Sequence, residues 1–222
     1  MAGGGLNAAL GIVLALRERD RSGLGQYIDI SMTDGSFALL PLAAYLQESG
    51  GQELRRGEHL LSQAYACYAV YPTRDGRYMA VGALEEKFWI NLCAFFGCPE
   101  YAPLQFNEDR RQEIIGYFRE KFLEKTQVEW EDELKSVDAC CEPVRTMAEA
   151  FDSALLRDRE MAIVDGENAE AFPEIGVQVK LSRTPGSIRT PPPRFGGDTR
   201  KVLQQLGYSL RDIEDLIEQG VC

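Results

Sequence analysis

The chain opens on the stretch that decides its fold, Met1-Ala2-Gly3-Gly4-Gly5-Leu6-Asn7-Ala8-Ala9-Leu10-Gly11-Ile12-Val13-Leu14-Ala15-Leu16-Arg17-Glu18-Arg19. Leu6, Leu10, Val13 and Leu14 follow helical spacing, which predicts an amphipathic helix with one face to bury. The glycines support no helix, but they allow two backbones to approach closely. We therefore expect a tight crossing inside a larger domain, with the chain a fragment whose upstream part matters for function.

After this helix the pattern becomes that of a strand followed by a second helix. Gly23 is placed to end the first helix in a left-handed conformation. Residues 26–31 alternate polar and apolar, which predicts a strand, and Ser31-Met32-Thr33-Asp34 has the form of a capping box. Pro41 predicts a kink in the helix that follows. The order helix, strand, helix indicates an α/β fold.

The middle of the chain has the pattern of a separate, smaller domain. Residues 47–64 lose the apolar periodicity and are interpreted as a linker. Residues 65–165 contain a predicted β-hairpin around Pro72-Thr73-Arg74-Asp75-Gly76, then short helices with aromatic stripes. Two of these helices have capping boxes, at Thr126 and Thr146. We expect a small α+β domain here, with the aromatic stripes as its core.

The last part of the chain, residues 166–222, is predicted to be extended at first and helical at its end. Residues 177–181 alternate as a strand, and the proline-rich stretch 190–197 is typical of an extended tether. Helices are predicted over 199–206 and 209–217.

Composition excludes several classes of function. Thirty-five acidic against 24 basic residues give a net charge of −11, which disfavours a nucleic-acid-binding surface. No apolar run approaches the ~18–20 residues of a membrane span, and no secretory signal is recognisable, so we expect a cytoplasmic protein with no membrane partner. The six cysteines form no Cys-x-x-Cys pair and there is one histidine, so no metal site is expected. Cys140 and Cys141 are either a redox-active pair or ordinary half-buried thiols.

Three blocks of the sequence carry a family resemblance. The opening helix continues into Arg21-Ser22-Gly23-Leu24-Gly25-Gln26-Tyr27-Ile28-Asp29-Ile30-Ser31-Met32-Thr33-Asp34-Gly35. Residues 56–61 and 71–89 form the second block, and Cys141-Glu142-Pro143-Val144-Arg145-Thr146 with Leu206-Gly207-Tyr208-Ser209 forms the third. Together they resemble the class III CoA-transferases of the CaiB/BaiF type, a family that includes the α-methylacyl-CoA racemases. The second block is most similar to the racemase-like branch.

The resemblance implies a discontinuous, Rossmann-like α/β large domain with an inserted small α+β domain, and an interlocked homodimer. Residues 1–46 would be a remnant of the large domain, and residues 166–222 a linker and helical return to it. The implied substrate is an acyl-CoA thioester, with coenzyme A and no metal, for either CoA transfer between carboxylic acids or epimerisation of an α-methylacyl-CoA. The family's catalytic aspartate lies upstream, so we expect this segment alone to be inactive. The alternative is a non-catalytic dimerisation or CoA-binding module.

Within the chain, Glu85 is the candidate catalytic residue. By resemblance it matches the glutamate that supports the acid/base histidine of the racemases; the alternative is an acidic residue that complements a helix dipole. His59 lies in a different motif and is interpreted as a solvated loop residue. Arg17, Arg74 and Arg77 are candidates for binding the CoA phosphates, since guanidinium groups suit phosphate oxygens, although such charges are also common on solvated faces.

Overall fold

A computed structural model describes residues 1–50, 57, 59–163, 174–188 and 195–222. These residues divide into two compact units, Met1–Val144 and Arg145–Cys222. The helices of the first unit are α1 (Asn7–Ser22), α2 (Met32–Phe37), α3 (Pro41–Gly50), α4 (Glu86–Phe95), α5 (Arg111–Phe122) and α6 (Gln127–Leu134), with a π-helical turn at Ala2–Leu6 and a 3₁₀ helix at Pro99–Leu104. Its strands are β1 (Tyr68–Pro72), β2 (Tyr78–Gly82) and β3 (Cys141–Pro143).

The opening glycines make the expected close crossing, with α2 as the partner, but the expectation that they support no helix is wrong, because they lie in the helical turn Ala2–Leu6 that leads into α1. A Cβ on Gly35 would lie 1.9 Å from the carbonyl oxygen of Gly3, and a Cβ on Gly3 would lie 2.8 Å from Ser36 Oγ. Side chains are excluded at such distances, so the contact requires glycine. Gly23 ends α1 with φ +75°, as predicted.

Two predictions for the first 50 residues are wrong. Residues 26–31 are extended but form no strand, because no described residue pairs with them as a ladder partner. Instead Ile28 and Ile30 lie against α1, where a Cβ on Gly11 would approach their side chains to 3.2 and 3.3 Å. Pro41 begins α3 and does not kink a longer helix. Its fixed φ and missing N–H suit the first turn of a helix.

The predicted hairpin is confirmed and forms a three-stranded antiparallel sheet in the order β1-β2-β3. Tyr71 pairs with Met79, and Met79 pairs with Pro143. Alternate residues of β1 and β2 are buried, so one face of the sheet contributes to the core and the other is open.

The core of the first unit combines this sheet with aromatic side chains from α4, α5 and α6. Trp89, Phe118 and Phe122 are fully buried, and the ring of Phe122 stacks on that of Tyr71 at 5.0 Å between centroids. The Trp130 indole N–H donates to the carbonyl of Phe122 at 2.8 Å, so the polar atom of this large side chain is satisfied. The aromatic stripes are therefore core packing, as predicted.

The second unit contains short elements. They are α7 (Met147–Phe151), α8 (Ala154–Asp158), β4 (Ala162–Ile163), β5 (Glu174–Ile175), α9 (Thr199–Gln205) and α10 (Leu210–Glu218). The strands β4 and β5 pair antiparallel, whereas the strand predicted over 177–181 is absent because those residues have no ladder partner among the described residues. The prolines of the predicted tether, at 191–193, lie outside the described residues. A capping box between Ser209 and Asp212 begins α10, as predicted for a helix at this position.

The fold is thus mixed α/β with small sheets. Both sheets of the described residues are antiparallel, and the Rossmann-like large domain and the domain boundaries stay predictions. Within the described ranges, no helix has the length and apolarity needed to cross a membrane.

Candidate functional site

Glu85 lies at the junction between β2 and α4. Its backbone is extended (φ −72°, ψ 136°) at the residue that precedes the first turn of the helix, and its side chain makes no capping hydrogen bond. The side chain is exposed. The carboxylate is therefore available to a partner outside the described residues, while its place beside the N-terminus of α4 also fits the alternative of a dipole-complementing acid.

The loop that carries Glu85 is held rigidly from two sides. The side-chain amide of Gln105 donates to the carbonyl oxygens of Ala83 at 3.0 Å and Leu84 at 2.8 Å. The N–H of Gly82 donates to the carbonyl of Cys140 at 2.8 Å. Sequence reasoning did not identify Gln105, since it lies about 20 residues away, between Leu104 and Phe106, in no recognisable motif.

A groove of about 610 Å³ lies over the open face of the sheet, next to this loop. Its lining is largely apolar and comes from residues 57, 61–63, 68–70, 80–82 and 140. Two of these residues have a backbone in the left-handed region although neither is glycine, Gln63 at φ +66° and Cys140 at φ +46°. Such conformations cost free energy and are common where a chain is shaped for binding.

Cys140 lines this groove near Glu85, and its surroundings disfavour the thiolate. Partial burial raises the pKa of the Cys140 thiol, and the negative charge of Glu85 raises it further. The next residue, Cys141, is buried in the core, and burial raises its pKa to about 12. Both thiols are thus stabilised in the protonated form, which supports the interpretation of ordinary thiols, but neither is half-buried as expected: Cys140 is exposed and Cys141 is buried.

The three candidate arginines lie in two places. Arg74 is in the β1–β2 turn, where its guanidinium donates to the carbonyl of Glu124 and to the carboxylate of Glu129, both at 2.8 Å. Arg77 is half-buried on the other side of the same turn, and Arg17 is exposed on α1. The contacts of Arg74 tie the turn to the start of α6, so part of its hydrogen-bonding capacity is already used.

His59 is half-buried, not solvated as its loop position suggested. Its backbone N–H donates to Ser62 Oγ at 3.0 Å, and the Ser62 hydroxyl donates to the His59 carbonyl at 2.8 Å. Its Nδ1 is buried without a hydrogen-bond partner among the described residues. Across all the residues that the structure describes, no cluster of three histidine, cysteine or acidic side chains is arranged to hold a metal ion.

Comparison with known proteins identifies one matching family and several similar relatives. The family described as CoA-transferase family III matches residues 1–199. The α-methylacyl-CoA racemase of Mus musculus is 38% identical over 216 residues, which cover 96% of this chain and 56% of the mouse protein. The succinyl-CoA–L-malate CoA-transferase beta subunit of Chloroflexus aurantiacus is 30% identical and is also covered to 56%. The chain thus spans about half the length of these curated relatives.

Solved structures share the fold. A CaiB/BaiF family protein from Brucella suis superposes with a TM-score of 0.67 at 20% sequence identity, over 92% of this chain and 54% of that one. At this identity the likeness concerns the fold alone.

Proposed function

The chain belongs to CoA-transferase family III, and we propose that it forms part of an enzyme that acts on acyl-CoA thioesters. The observation that carries this proposal is the 38% identity with the mouse α-methylacyl-CoA racemase along 96% of the chain. Identity with the succinyl-CoA–L-malate CoA-transferase is lower, at 30%. Epimerisation of the α-carbon is therefore proposed ahead of CoA transfer between carboxylic acids.

The proposed role of Glu85 rests on the family resemblance, and the exposed, uncapped position of its side chain supports it. A thioester carbonyl acidifies the neighbouring α-proton, so a base removes it and an acid returns it to the opposite face. By family resemblance the aspartate and histidine that do this lie in the portion of the relatives that this chain does not span. An exposed carboxylate without a capping bond, on a loop held by Gln105, is suited to orient such an imidazole and to stabilise its protonated form.

Substrate and assembly are proposed in the same way. Arg17, Arg74 and Arg77 are proposed to meet CoA phosphates, and Arg74 also donates to Glu124 and Glu129. We place the enzyme in the cytoplasm as a homodimer without a metal. Its large domain would be Rossmann-like, with residues 65–165 as the inserted small domain.

A second candidate function is a non-catalytic module for dimerisation or CoA binding. It is favoured by the apolar surface of α1, where Leu10, Val13 and Leu14 are each about 60% exposed. Apolar surface of this kind is typical of a segment that is covered by another chain or domain.

Deuterium exchange distinguishes these functions. The restored protein, defined as this chain joined to the portion of the mouse racemase that it does not span, is incubated in D₂O with a 2-methylacyl-CoA and a carboxylate acceptor. We expect deuterium at the α-carbon, read by mass spectrometry, and no turnover by the chain alone. A new acyl-CoA formed from the acceptor without α-deuterium would assign CoA transfer instead. A folded restored protein that does neither, yet binds CoA, would assign the module.

A further inference from the structure

The end of α4 brings two cysteines together. The N–H of Cys98 donates to the carbonyl of Cys93 at 2.9 Å, and the N–H of Gly97 donates to that of Ala94 at 3.2 Å. Gly97 has φ +69°. This pair of hydrogen bonds around a left-handed glycine is the Schellman motif, in which the residue after the glycine packs against the helical residue five positions earlier.

In this helix both members of that contact are cysteines. Cys93 and Cys98 are 0% and 1% exposed, and Cys98 Sγ lies 3.5 Å from the carbonyl oxygen of Cys93. The Cys98 thiol thus donates to the backbone of Cys93, which brings its sulfur over the residue it would pair with. A direct backbone hydrogen bond between the two residues suits the short Cα separation that a disulfide spans, about 4.4–6.8 Å.

We propose that Cys93 and Cys98 form a dithiol that a peroxide oxidises to an intrachain disulfide, a modification site at the end of the helix that begins beside Glu85. The four other cysteines offer no comparable pair among the described residues. Cys140 and Cys141 are adjacent in sequence but point to opposite sides, one to the groove and one to the core. Cys67 is buried and Cys222 is exposed at the chain end.

The chemistry assigns a different role to each sulfur. The neighbouring Cys93 thiol lowers the pKa of the Cys98 thiol, and the neighbouring Cys98 thiol together with burial raises the pKa of Cys93. Cys98 therefore supplies the thiolate, which attacks one peroxide oxygen, breaks the O–O bond and becomes a sulfenic acid. The Cys93 sulfur then loses its proton, attacks the Cys98 sulfur and displaces the hydroxyl group. Two thiols and one hydrogen peroxide give one disulfide and two water molecules.

Burial sets the rate of this reaction. Because both sulfurs are covered within the core, the oxidant reaches them only when this part of the core opens, so we expect the disulfide to form slowly.

The test is disulfide mapping of the intact chain. The folded protein is treated with hydrogen peroxide, acid-quenched, denatured, alkylated and digested with chymotrypsin, which cleaves after Phe95 and Phe96 between the two cysteines. We expect two peptides joined through Cys93 and Cys98, lighter by two hydrogen atoms than the reduced pair and separated by dithiothreitol. The proposal is overturned if both cysteines are still alkylated when Cys140 or Cys222 is oxidised. Recovery of either one only as a sulfinic acid or joined to Cys67 also overturns it.

Two matched variants check the assignment. Cys98→Ala removes one buried thiol of the pair, and Cys67→Ala removes a buried thiol outside it. We expect the peroxide-induced disulfide to disappear in the first variant and to remain in the second. Persistence of a Cys93 disulfide in a folded Cys98→Ala protein contradicts the pairing. If that variant does not fold by circular dichroism, the map of the unaltered chain decides.

Discussion

Glu85 is positioned by hydrogen bonds that its neighbours make. The side-chain amide of Gln105 donates to the carbonyls of Ala83 and Leu84, the two residues before Glu85. The N–H of Gly82 donates to the carbonyl of Cys140. The carboxylate itself is exposed and makes no capping bond. At the scale of the single residue, two side chains therefore have different tasks. Glu85 carries the charge, and Gln105 holds the backbone next to it.

Replacing Glu85 tests the charge. In the restored protein, Glu85→Gln keeps the shape but removes the carboxylate, so an imidazolium would lose its partner. We expect α-proton exchange in D₂O to slow by roughly 10–10⁴-fold with the melting temperature almost unchanged, the range that a positioned acid/base system contributes. Glu86→Gln, one residue further into α4, is the matched control and is expected to leave exchange unchanged. Unchanged exchange in Glu85→Gln, with about 0.3–1 kcal/mol of stability lost, would assign the dipole role instead.

Replacing Gln105 tests the support. Gln105→Ala removes the donor for the carbonyls of Ala83 and Leu84, and Ala83 is fully buried. Leaving buried acceptors unpaired costs about 1–3 kcal/mol. We expect a decrease of that size in the free energy of unfolding of the chain, measured by urea denaturation. Gln112→Ala on the exposed side of α5 is the control, and an equal effect of both variants would show that the loop does not depend on Gln105.

At the scale of the element, short helices of this chain depend on their first turns. α6 has only eight residues, and its capping box joins Thr126 and Glu129 in both directions. The same carboxylate of Glu129 also accepts from Arg74, which connects the helix start to the hairpin turn. A helix this short has little stability of its own, so its cap and its buried Trp130 determine whether it forms.

The stability that the Thr126–Glu129 capping box contributes is expected to depend on pH. The backbone N–H and the hydroxyl of Thr126 lower the pKa of Glu129 below its ordinary value of 4.5. A depressed pKa stabilises the fold above the pKa of the unfolded chain, and this contribution is lost as pH falls through the folded value. We expect Thr126→Ala to cost about 1 kcal/mol near pH 7.

That cost is expected to shrink in acid. Urea denaturation of Thr126→Ala and the unaltered chain at pH 7 and pH 3 measures the difference. Thr126→Ser keeps the hydroxyl and is the matched control, for which we expect little change at either pH. A difference that is the same at both pH values would mean that the Glu129 carboxylate does not act through the cap.

At the scale of the whole molecule, apolar surface is distributed unevenly. The core lies within residues 66–141, whereas α1, α2 and α3 contribute no hydrophobic residue to it. In these three helices large apolar side chains are exposed, including Phe37 at 75% and Val13 at 62%. Contiguous apolar surface favours association with another chain or domain.

The chain is therefore expected to self-associate. Light scattering at micromolar concentration should give a mass above that of the monomer, decreasing when Val13→Glu places a charge in the apolar stripe. Arg19→Glu introduces the same carboxylate on the side of α1 opposite the stripe and is expected to leave the mass unchanged. A monomeric mass for the unaltered chain would contradict this prediction.

Local patterns anticipated the elements whose stability is local. The hairpin, the capping boxes at Thr126 and Thr146 and the glycine stop at Gly23 are all formed as predicted. The strands predicted over 26–31 and 177–181 are not, because alternation records which faces a strand would bury but not whether a partner strand lies beside it.

By itself, the sequence determined the family, the mixed α/β composition, the aromatic core and the candidate Glu85, because each rests on neighbouring residues or on a linear motif. Only the tertiary structure decided that Gln105 supports the Glu85 loop, that Cys140 lies beside it, and that the turn after α4 joins Cys93 to Cys98. The first two contacts link residues far apart in the chain. The third contact is local, since it is made by the left-handed turn at Gly97, but only the folded chain buries both sulfurs in the core.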